Sequence, residues 1–166
     1  MLIAIISDTH DNFTNIEKFL SWAKENKIEI IIHCGDITTT EVITKLFAPT
    51  QINFHYVLGN IGDRQSLLII GNHFPNIHCY GDQGELKLNN LQIGFCHFPE
   101  VAQQLAQQGN YQLIFYGHTH KPWIETLDNN CQLINPGTLG GVFQKATFAV
   151  YDTKTKKLEL KILELL

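Results

Sequence analysis

The amino-acid sequence predicts a mixed α/β fold that forms a single domain over residues 1–166. The first half of the chain alternates short apolar runs with segments of helical period, which is the pattern of a parallel sheet covered by helices. The second half contains short strand-like segments separated by the turn-rich stretches DNN, NPGTLGG and DTKTKK. A length of 166 residues, without an internal repeat, linker or low-complexity tract, suits one domain with a sizeable core.

The first half predicts three strands joined by two helices. Strands are expected over residues 2–6, 29–33 and 54–58, because these are short apolar runs bounded by polar or turn-forming residues. One helix should begin after an N-cap at Asn12 or Thr14 and run through Asn26, and a second should cover 38–48, with Pro49 just after it. This βαβαβ order predicts parallel strands.

The second half predicts a further helix followed by strands of hairpin type. The segment RQSLLII reads as a helix that Gly71 ends. Residues 85–89 and 91–96 predict a hairpin that turns at Asn89 and Asn90, and 100–108 predicts a short helix that ends at Gly109. The remaining strands are expected over residues 111–116, 123–127, 131–134, 146–151 and 158–163.

Composition narrows the class of protein. Hydrophobic residues make up 44% of the chain and charged residues 17%, which argues against disorder. The net charge of −4 argues against a dedicated nucleic-acid binder, which would carry a basic patch. No apolar run has the length of a membrane span, and the N-terminal run lacks the basic region of a signal peptide. The four cysteines have no C-x-x-C spacing, so we expect reduced thiols in a cytoplasmic protein.

Five predicted strands end in side chains that can bind metal ions. Taken alone, a pair such as Asp8 and His10 is readily explained by a turn and a helix N-terminus. The same feature at five strand ends favours a site, because ligands of open α/β sheets bind outside the carboxyl ends of the strands. The seven candidate ligands are Asp8, His10, Asp36, Asn60, His97, His118 and His120.

The chemistry of these seven side chains suits a pair of divalent metal ions. Two carboxylates, one amide and four imidazoles are oxygen and nitrogen ligands that suit Mn²⁺, Fe or Zn²⁺. Seven ligands exceed one site with an open position, but they suffice for two ions if one carboxylate bridges. Two ions about 3.5–4 Å apart can clamp the attacking and leaving oxygens of a phosphoryl transfer. Gly35, Gly59 and Gly117 precede three of the ligands, where a missing Cβ lets the backbone bend.

The motifs resemble the calcineurin-like metallophosphoesterase superfamily, and in particular its small single-domain bacterial and archaeal phosphodiesterase branch. The resemblance covers nearly the whole chain. It rests on Asp8-Thr9-His10, Gly35-Asp36, Gly59-Asn60, His97, Gly117-His118-Thr119-His120 and the late turn Ile134-Asn135-Pro136-Gly137-Thr138.

The resemblance implies a four-layer α/β/β/α sandwich with a dinuclear metal site at the carboxyl ends of the strands. It implies that Asp8, His10 and His120 bind one ion, that Asn60, His97 and His118 bind the other, and that Asp36 bridges them. Mn²⁺ is the expected metal, with Ni²⁺, Fe, Zn²⁺ or Mg²⁺ as alternatives.

The implied reaction is hydrolysis of a small phosphodiester by a hydroxide held between the two metals. Asp36, Asn60 and His97 are the residues expected to act in catalysis, and the amide of Asn60 should also donate a hydrogen bond to a phosphate oxygen. A non-catalytic scaffold is the alternative, because a retromer subunit that resembles this family uses the same fold for protein contacts. The completeness of the ligand set favours the enzyme.

One position departs from the family pattern. The third motif of the family continues with His or Cys, and the His is thought to protonate the leaving group, but this chain has Ile61 there. The sequence therefore predicts a preference for phosphodiesters with good leaving groups, or another acid. A second Gly-Asn-His stretch at residues 71–73 follows a predicted helix and is expected to lie outside the site, although His73 would supply the missing acid if it did not.

Three further residues are candidate substrate contacts, and one segment is a candidate dimer edge. Asp63 either hydrogen-bonds a ligating imidazole or caps the helix that follows, Arg64 could reach a substrate phosphate, and Thr138 lies in the late turn near the rim. The apolar C-terminal stretch LELKILELL could form the edge at which a homodimer pairs.

Overall fold

The structure is a computed structural model that describes residues 1–71 and 73–166, and its centre is a pair of facing β-sheets. The six-stranded sheet has the order β11-β10-β1-β2-β3-β4, and the five-stranded sheet has the order β5-β6-β7-β9-β8. The strands are β1 (Leu2–Ile6), β2 (Ile30–His33), β3 (Asn53–Tyr56), β4 (Ile77–Cys79), β5 (Gln83–Leu88), β6 (Leu91–Cys96), β7 (Leu113–Phe115), β8 (Trp123–Thr126), β9 (Gln132–Asn135), β10 (Thr147–Asp152) and β11 (Lys157–Ile162).

Helices cover the outer face of each sheet. Three of them pack against the six-stranded sheet: α1 (Phe13–Glu25), the irregular helix α2 that begins at Thr40 and ends at Thr50, and α3 (Arg64–Ile70). The fourth, α4 (Pro99–Gln107), packs against the five-stranded sheet. A 3-10 turn at Leu163–Leu165 follows the last strand. The layers are therefore helix, sheet, sheet and helix, which confirms the predicted sandwich.

Alternation along the strands builds three apolar layers. Successive residues of a strand point to opposite faces of its sheet, so one strand serves two layers. In β1, Ile3 and Ile5 face the other sheet, whereas Ala4 and Ile6 face the helices. The layer between the sheets includes Ile3, Ile5 and Ile32 from one sheet and Phe95, Phe115 and Ile134 from the other. Burial on both faces explains why β1 reads as a continuous apolar run.

The parallel strands bring their carboxyl ends to one edge. β1, β2, β3 and β4 are parallel neighbours in the first sheet, as the βαβαβ pattern predicts. In the second sheet β6, β7 and β9 are parallel to one another. The loops that follow β1, β2, β3, β6 and β7 carry the candidate ligands, and they meet at a common rim of the sandwich.

The first helix begins where the sequence predicts, whereas the second differs from the prediction in its bounds and its regularity. The side chain of Asn12 caps α1 by accepting a hydrogen bond from the backbone N–H of Asn15, at 3.2 Å. The second helix was expected over 38–48, but it starts at Thr40 as one α-helical turn, widens to a π-helix over Ile43–Phe47 and ends in a 3-10 turn, Ala48–Thr50. Pro49 lies within that last turn because a first helical turn does not need its N–H.

The hairpin formed by β10 and β11 belongs to the six-stranded sheet. The sequence predicts hairpin-like strands throughout the second half, but β10 pairs antiparallel with β1, and β11 extends the six-stranded sheet beyond it. β11 is therefore an edge strand, on which Leu160 is exposed. A homodimer through this edge stays a prediction.

The structure also bears on the membrane and thiol predictions. In the part of the chain that the structure describes, no helix combines the length and apolar character of a membrane span. Cys34, Cys79, Cys96 and Cys131 are all free thiols.

Candidate metal centre

The candidate ligands leave their strands through sharply bent backbone. Asp8, His10, Asp36, His118 and His120 have φ angles of 51°, 44°, 65°, 69° and 58°. This left-handed region is uncommon for residues other than glycine and costs free energy, although Asp and His tolerate it better than most. Residues held there tend to mark functional sites. In this chain the bends turn these side chains, from the loops after β1, β2 and β7, back toward one rim.

One group of ligands joins the loop after β1 to the loop after β7. Nε2 of His120 lies 3.1 Å from Nε2 of His10 and 3.2 Å from Oδ1 of Asp8. Ligand atoms of these three residues all lie within 4.8 Å of one another. The spacing suits three side chains that share one cation.

A second group joins the loops after β3, β6 and β7. Oδ1 of Asn60 lies 2.9 Å from Nε2 of His97 and 3.0 Å from Nδ1 of His118. The rings of His97 and His118 meet edge to face with centroids 5.1 Å apart. One amide oxygen and two imidazole nitrogens thus converge on a single point.

Two buried carboxylates lie between the groups. Asp8, Asp36 and His97 place ligand atoms within 4.8 Å of one another, and Oδ1 of Asp36 is 3.5 Å from Nε2 of His97. The backbone N–H of Asn60 donates to Oδ1 of Asp36 at 2.9 Å, and that of His118 donates to Oδ2 of Asp8 at 3.1 Å. These backbone donors hold both carboxylates in place across the rim.

Backbone carbonyls fix the orientation of two of the imidazoles. A carbonyl oxygen can only accept, so Nδ1 of His97 donates to Cys34 at 2.8 Å, and Nδ1 of His120 donates to Val142 at 3.2 Å. With Nδ1 engaged in this way, Nε2 is the nitrogen that each ring directs at carboxylate or amide oxygens. Among the described residues Oδ1 of Asp8 has no hydrogen-bond donor, although it is buried. This donor set fits divalent cations, which accept lone pairs from oxygen and nitrogen together.

Burial also shapes the electrostatics of the rim. The side chains of Asp8, Asp36 and His97 are almost completely buried. Desolvation raises the pKa of Asp8 above its ordinary value, and the nearby imidazoles of His97 and His120 act in the opposite direction. A carboxylate in such a place is stabilised in its charged form by a neighbouring cation.

The calcineurin-like phosphoesterase superfamily domain matches residues 1–156 of this chain. The chain belongs to that superfamily. A phosphodiesterase of Methanocaldococcus jannaschii is 31% identical over 168 residues, which cover 99% of this chain and 100% of the relative. The solved structure of an archaeal phosphodiesterase matches with a TM-score of 0.88 at 29% identity, covering 98% of this chain and 99% of that one.

The same fold also occurs in vacuolar protein sorting proteins. Vacuolar protein sorting 29 of Cryptosporidium parvum matches with a TM-score of 0.68 at 19% identity, covering 97% of this chain and 95% of that one. At this identity the likeness concerns the fold alone. The family match confirms the resemblance drawn from the Asp-Thr-His, Gly-Asp, Gly-Asn and Gly-His-Thr-His motifs.

The glycines before three ligands of this phosphoesterase serve two different purposes. Gly35 has a φ of 103°, so it provides the predicted backbone bend. Gly59 and Gly117 do not lie in the left-handed region; instead, a Cβ on Gly59 would overlap Oδ1 of Asp36, and one on Gly117 would overlap the hydroxyl of Ser7. At these two positions the missing side chain makes room for a buried carboxylate and a buried hydroxyl, and it does not provide a bend.

A buried network that sequence reasoning passed over supports Asp36. Nδ1 of His33 accepts from the N–H of Gly35 at 3.1 Å, so its Nε2 carries the proton and donates to the hydroxyl of Thr9 at 3.0 Å. That hydroxyl donates to the carbonyl of Asp36 at 3.3 Å. Nothing in the sequence singles out Thr9 as the partner of His33.

Thr138 supports the site from behind. Its hydroxyl donates to the carbonyl of Asp8 at 2.8 Å, and its side chain is fully buried. Asn135, in β9, likewise donates to the carbonyl of Gly117 at 2.8 Å. The structure therefore gives Thr138 a role in holding the first ligand loop, and its contact with substrate stays a prediction. The late turn at residues 134–138 drew attention to both residues, but it did not predict their hydrogen-bond partners.

Asp63 and Arg64 contact Gln65, Ser66 and Asp82. The carboxylate of Asp63 caps α3, accepting from the N–H of Gln65 at 3.2 Å and from the hydroxyl of Ser66 at 2.5 Å. The hydrogen bonds from Ser66 lower the pKa of Asp63 below its ordinary value. Arg64 pairs with Asp82 at 2.8 Å, where both side chains are largely exposed. Of the two predicted roles for Asp63, the contacts show the helix cap, and the Arg64 side chain points to another carboxylate.

The second Gly-Asn-His stretch lies at the end of α3. Gly71 is the C-cap of that helix, as predicted, and Asn72 lies outside the described residues. His73 is exposed, and its Nδ1 contacts the carbonyl of Ile69 at 3.0 Å. This contact ties His73 to the end of its own helix.

Replacing His33 by Gln should flatten the pH dependence of stability. Burial lowers the pKa of His33 from 6.5 to about 3, and the nearby His97 and His10 act in the same direction. Between these values the unfolded chain binds the proton more tightly, so stability falls as the pH falls below 6.5. The wild type should lose about 2 kcal/mol more than His33→Gln between pH 7 and pH 5.

Urea unfolding of chelator-treated protein at both pH values measures this difference. His73→Gln, which removes an exposed imidazole, should behave as the wild type. Equal losses in the wild type and in His33→Gln would contradict the neutral, buried state of His33.

Replacing Asp63 by Ala should weaken α3 and leave metal binding intact. The substitution removes the acceptor for the first-turn N–H groups of the helix, so the Tm should fall by about 3 °C. Asp63→Ser keeps a capping oxygen without the charge and should retain the Tm. Differential scanning calorimetry and the number of Mn²⁺ ions bound per chain are the measurements; loss of bound metal in both variants would instead place Asp63 in the metal centre.

Proposed function

We propose that this protein is a metal-dependent phosphodiesterase that hydrolyses small phosphodiesters. The observation that carries the proposal is the pair of ligand groups whose imidazole nitrogens and side-chain oxygens converge on either side of two buried carboxylates. Membership of the superfamily supports it, as does a phosphodiesterase relative that matches over the full length of this chain.

Each group would hold one divalent ion. Asp8, His10 and His120 would bind the first, and the spacing of their ligand atoms supports this assignment. A second ion would be bound by Asn60, His97 and His118. Asp36 would bridge, which agrees with its position beside both Asp8 and His97. Mn²⁺ is the proposed metal because the ligands are hard oxygens and imidazoles, with Ni²⁺, Fe, Zn²⁺ and Mg²⁺ as alternatives.

The residues of the chain would position the substrate around these ions. When bound, the ions supply a water of lowered pKa for in-line attack on phosphorus and neutralise charge on the phosphoryl group. Because Oδ1 of Asn60 faces the two imidazoles, its NH₂ group remains to donate to a phosphate oxygen. The backbone bonds to Asp8 and Asp36 keep the ligands from shifting during the reaction.

The substrate is proposed to be a small molecule. The chain carries a net charge of −4, which repels the long phosphate backbone of a nucleic acid. The alternative, a protein-interaction scaffold, has support in the fold shared with vacuolar protein sorting 29. The convergence of all seven ligand side chains favours the enzyme, because a scaffold needs no such set.

Removing Asp36 should abolish metal-dependent hydrolysis. Metal-stripped protein supplied with Mn²⁺, Ni²⁺, Mg²⁺ or Zn²⁺ should cleave bis-p-nitrophenyl phosphate in preference to p-nitrophenyl phosphate. Asp36→Ala should lower that rate roughly 100-fold or more, since it removes the carboxylate between the two groups. Asp128→Ala, which removes an exposed carboxylate from the β8–β9 turn, is the matched control and should keep the rate.

Metal stoichiometry separates the two candidate functions. The number of ions bound per chain, measured on the same samples by elemental analysis, should be two. Two bound ions without turnover in any metal would argue for the scaffold and against the enzyme.

The rate should depend steeply on the leaving group. The backbone N–H of Ile61 lies 3.3 Å from Oδ1 of Asp36, but its aliphatic side chain cannot protonate a departing oxygen. The neighbouring carboxyl of Asp63 has a lowered pKa and is occupied with Ser66, so it is ionised at neutral pH. Esters with acidic leaving groups should therefore react fastest.

A series of aryl methyl phosphates with substituted phenols measures this dependence. The kcat/KM should fall as the pKa of the phenol rises, and Ile61→His should reduce the slope by offering a proton donor. A rate that is insensitive to the phenol would show that another group protonates it.

A further inference from the structure

One large apolar side chain stands open to solvent beside the metal centre. Phe143 is 93% exposed, in the segment between β9 and β10. Its φ angle of 61° puts an aromatic residue in the left-handed region, where a side chain of this size is rarely found. Neither packing nor backbone preference explains a phenyl ring at this position, and such strain often accompanies function.

The segment that carries Phe143 is fastened to the first ligand group. The carbonyl of Val142, the preceding residue, accepts the hydrogen bond from Nδ1 of His120 at 3.2 Å. The N–H of Gly140 donates to the carbonyl of Asp8 at 3.0 Å. The backbone of Phe143 is therefore one residue away from a contact with a proposed ligand of the Asp8, His10 and His120 group.

The base of this segment is fixed in position. Asn12 donates to the carbonyl of Gly140 at 3.0 Å, and Asn15 donates to that of Leu139 at 2.9 Å. A Cβ on Gly140 would lie only 2.7 Å from the carbonyl oxygen of Thr9, so the segment is pressed directly against the ligand loop. The start of the segment that carries Phe143 is therefore held in place against the ligand loop after β1.

Phe98, another phenylalanine near the rim, differs from Phe143 because contacts within the protein account for its position. Phe98 packs edge to face on His97 and on His118, with ring centroids 4.9 Å apart in both pairs. Its position is accounted for by those contacts within the protein. The backbone of Phe143 adjoins the opposite ligand group through Val142, and its ring is open to solvent.

We infer that Phe143 determines substrate specificity by stacking on a flat aromatic ester group of the phosphodiester. This inference rests on the proposed function, because it takes the phosphoryl group to lie at the metal centre and one ester group to extend past His120. The substrate class is then phosphodiesters that carry an aryl group or a nucleoside, whose planar rings stack on phenylalanine regardless of their hydrogen-bonding groups.

Substrates that share one leaving group isolate the contribution of stacking between Phe143 and the remaining ester group. Bis-p-nitrophenyl phosphate, thymidine 5′-p-nitrophenyl phosphate and methyl p-nitrophenyl phosphate all release p-nitrophenol, and only the remaining ester group differs. Phe143→Asn removes the ring and suits the left-handed backbone, so it should fold. Phe143→Tyr keeps the ring. Leu160→Ala, on the edge strand β11, removes exposed apolar surface elsewhere and is the control.

The kcat/KM ratio of each aromatic substrate to the methyl substrate is compared between proteins, so intrinsic reactivity cancels. In Phe143→Asn the ratio should fall roughly tenfold, mainly through KM. Phe143→Tyr and Leu160→Ala should keep the wild-type ratio. A larger fall for the thymidine ester than for the bis-aryl ester identifies a nucleoside substrate, and the reverse identifies a simple aryl ester.

A binding measurement tests the same contact without turnover. Metal-loaded wild type and Phe143→Tyr should bind phenylphosphonate roughly tenfold more tightly than methylphosphonate, and Phe143→Asn should bind them equally, as measured by calorimetry. Unchanged ratios in Phe143→Asn, or equal losses with all three esters, would overturn the inference while the phosphodiesterase stands. A wild type that cleaves none of the esters but shows the phosphonate preference would overturn the proposed function and keep the stacking contact.

Discussion

Two carboxyl groups buried at one rim are the constraint on which the rest of this structure depends. Asp8 and Asp36 are almost fully removed from solvent, and carboxylates in such a place repel each other and lose hydration. The fold answers with fixed backbone donors, one from His118 and one from Asn60, that reach across from other loops. The carbonyl of Asp8 is held in turn by Thr138. The conformation of the loops, the positions of the glycines and the order of the strands all help these hydrogen bonds to form.

Both proposed metal groups draw on both sheets. Asp8 and His10 follow a strand of the six-stranded sheet, whereas His120 follows a strand of the other one. Asn60 likewise comes from the first sheet and meets His97 and His118 from the second. Ions bound at the rim would therefore act as fasteners between the layers, in addition to the apolar contacts that fill the space between them.

Local features of the sequence predicted much of this arrangement. The strand over Leu2–Ile6 and the N-cap at Asn12 follow from short-range patterns, and the structure contains both. The convergence of polar strand ends follows from the general geometry of parallel sheets. The geometry brings the seven candidate ligands together, and their assignment to two ions stays a proposal.

Long-range pairings were beyond the reach of those patterns. The sequence of an apolar strand such as β10 does not show which strand it will pair with. Its place beside β1 depends on packing of the whole chain. The bond from Thr138 to Asp8 spans 130 residues, and no spacing rule connects the two. The reason for glycine at 59 and 117 likewise became visible only when the carboxylate and hydroxyl that fill the space were located.

The position of β1 between β2 and β10 has a consequence for synthesis on the ribosome. β2 follows β1 closely in the chain, but β10 is the tenth of eleven strands, so one side of β1 stays unpaired until Thr147–Asp152 has emerged. An unpaired apolar edge is prone to join another chain, and a nascent protein of this order is exposed to that risk for most of its translation. The strand order therefore predicts that shielding of β1 during this interval reduces aggregation of the nascent chain.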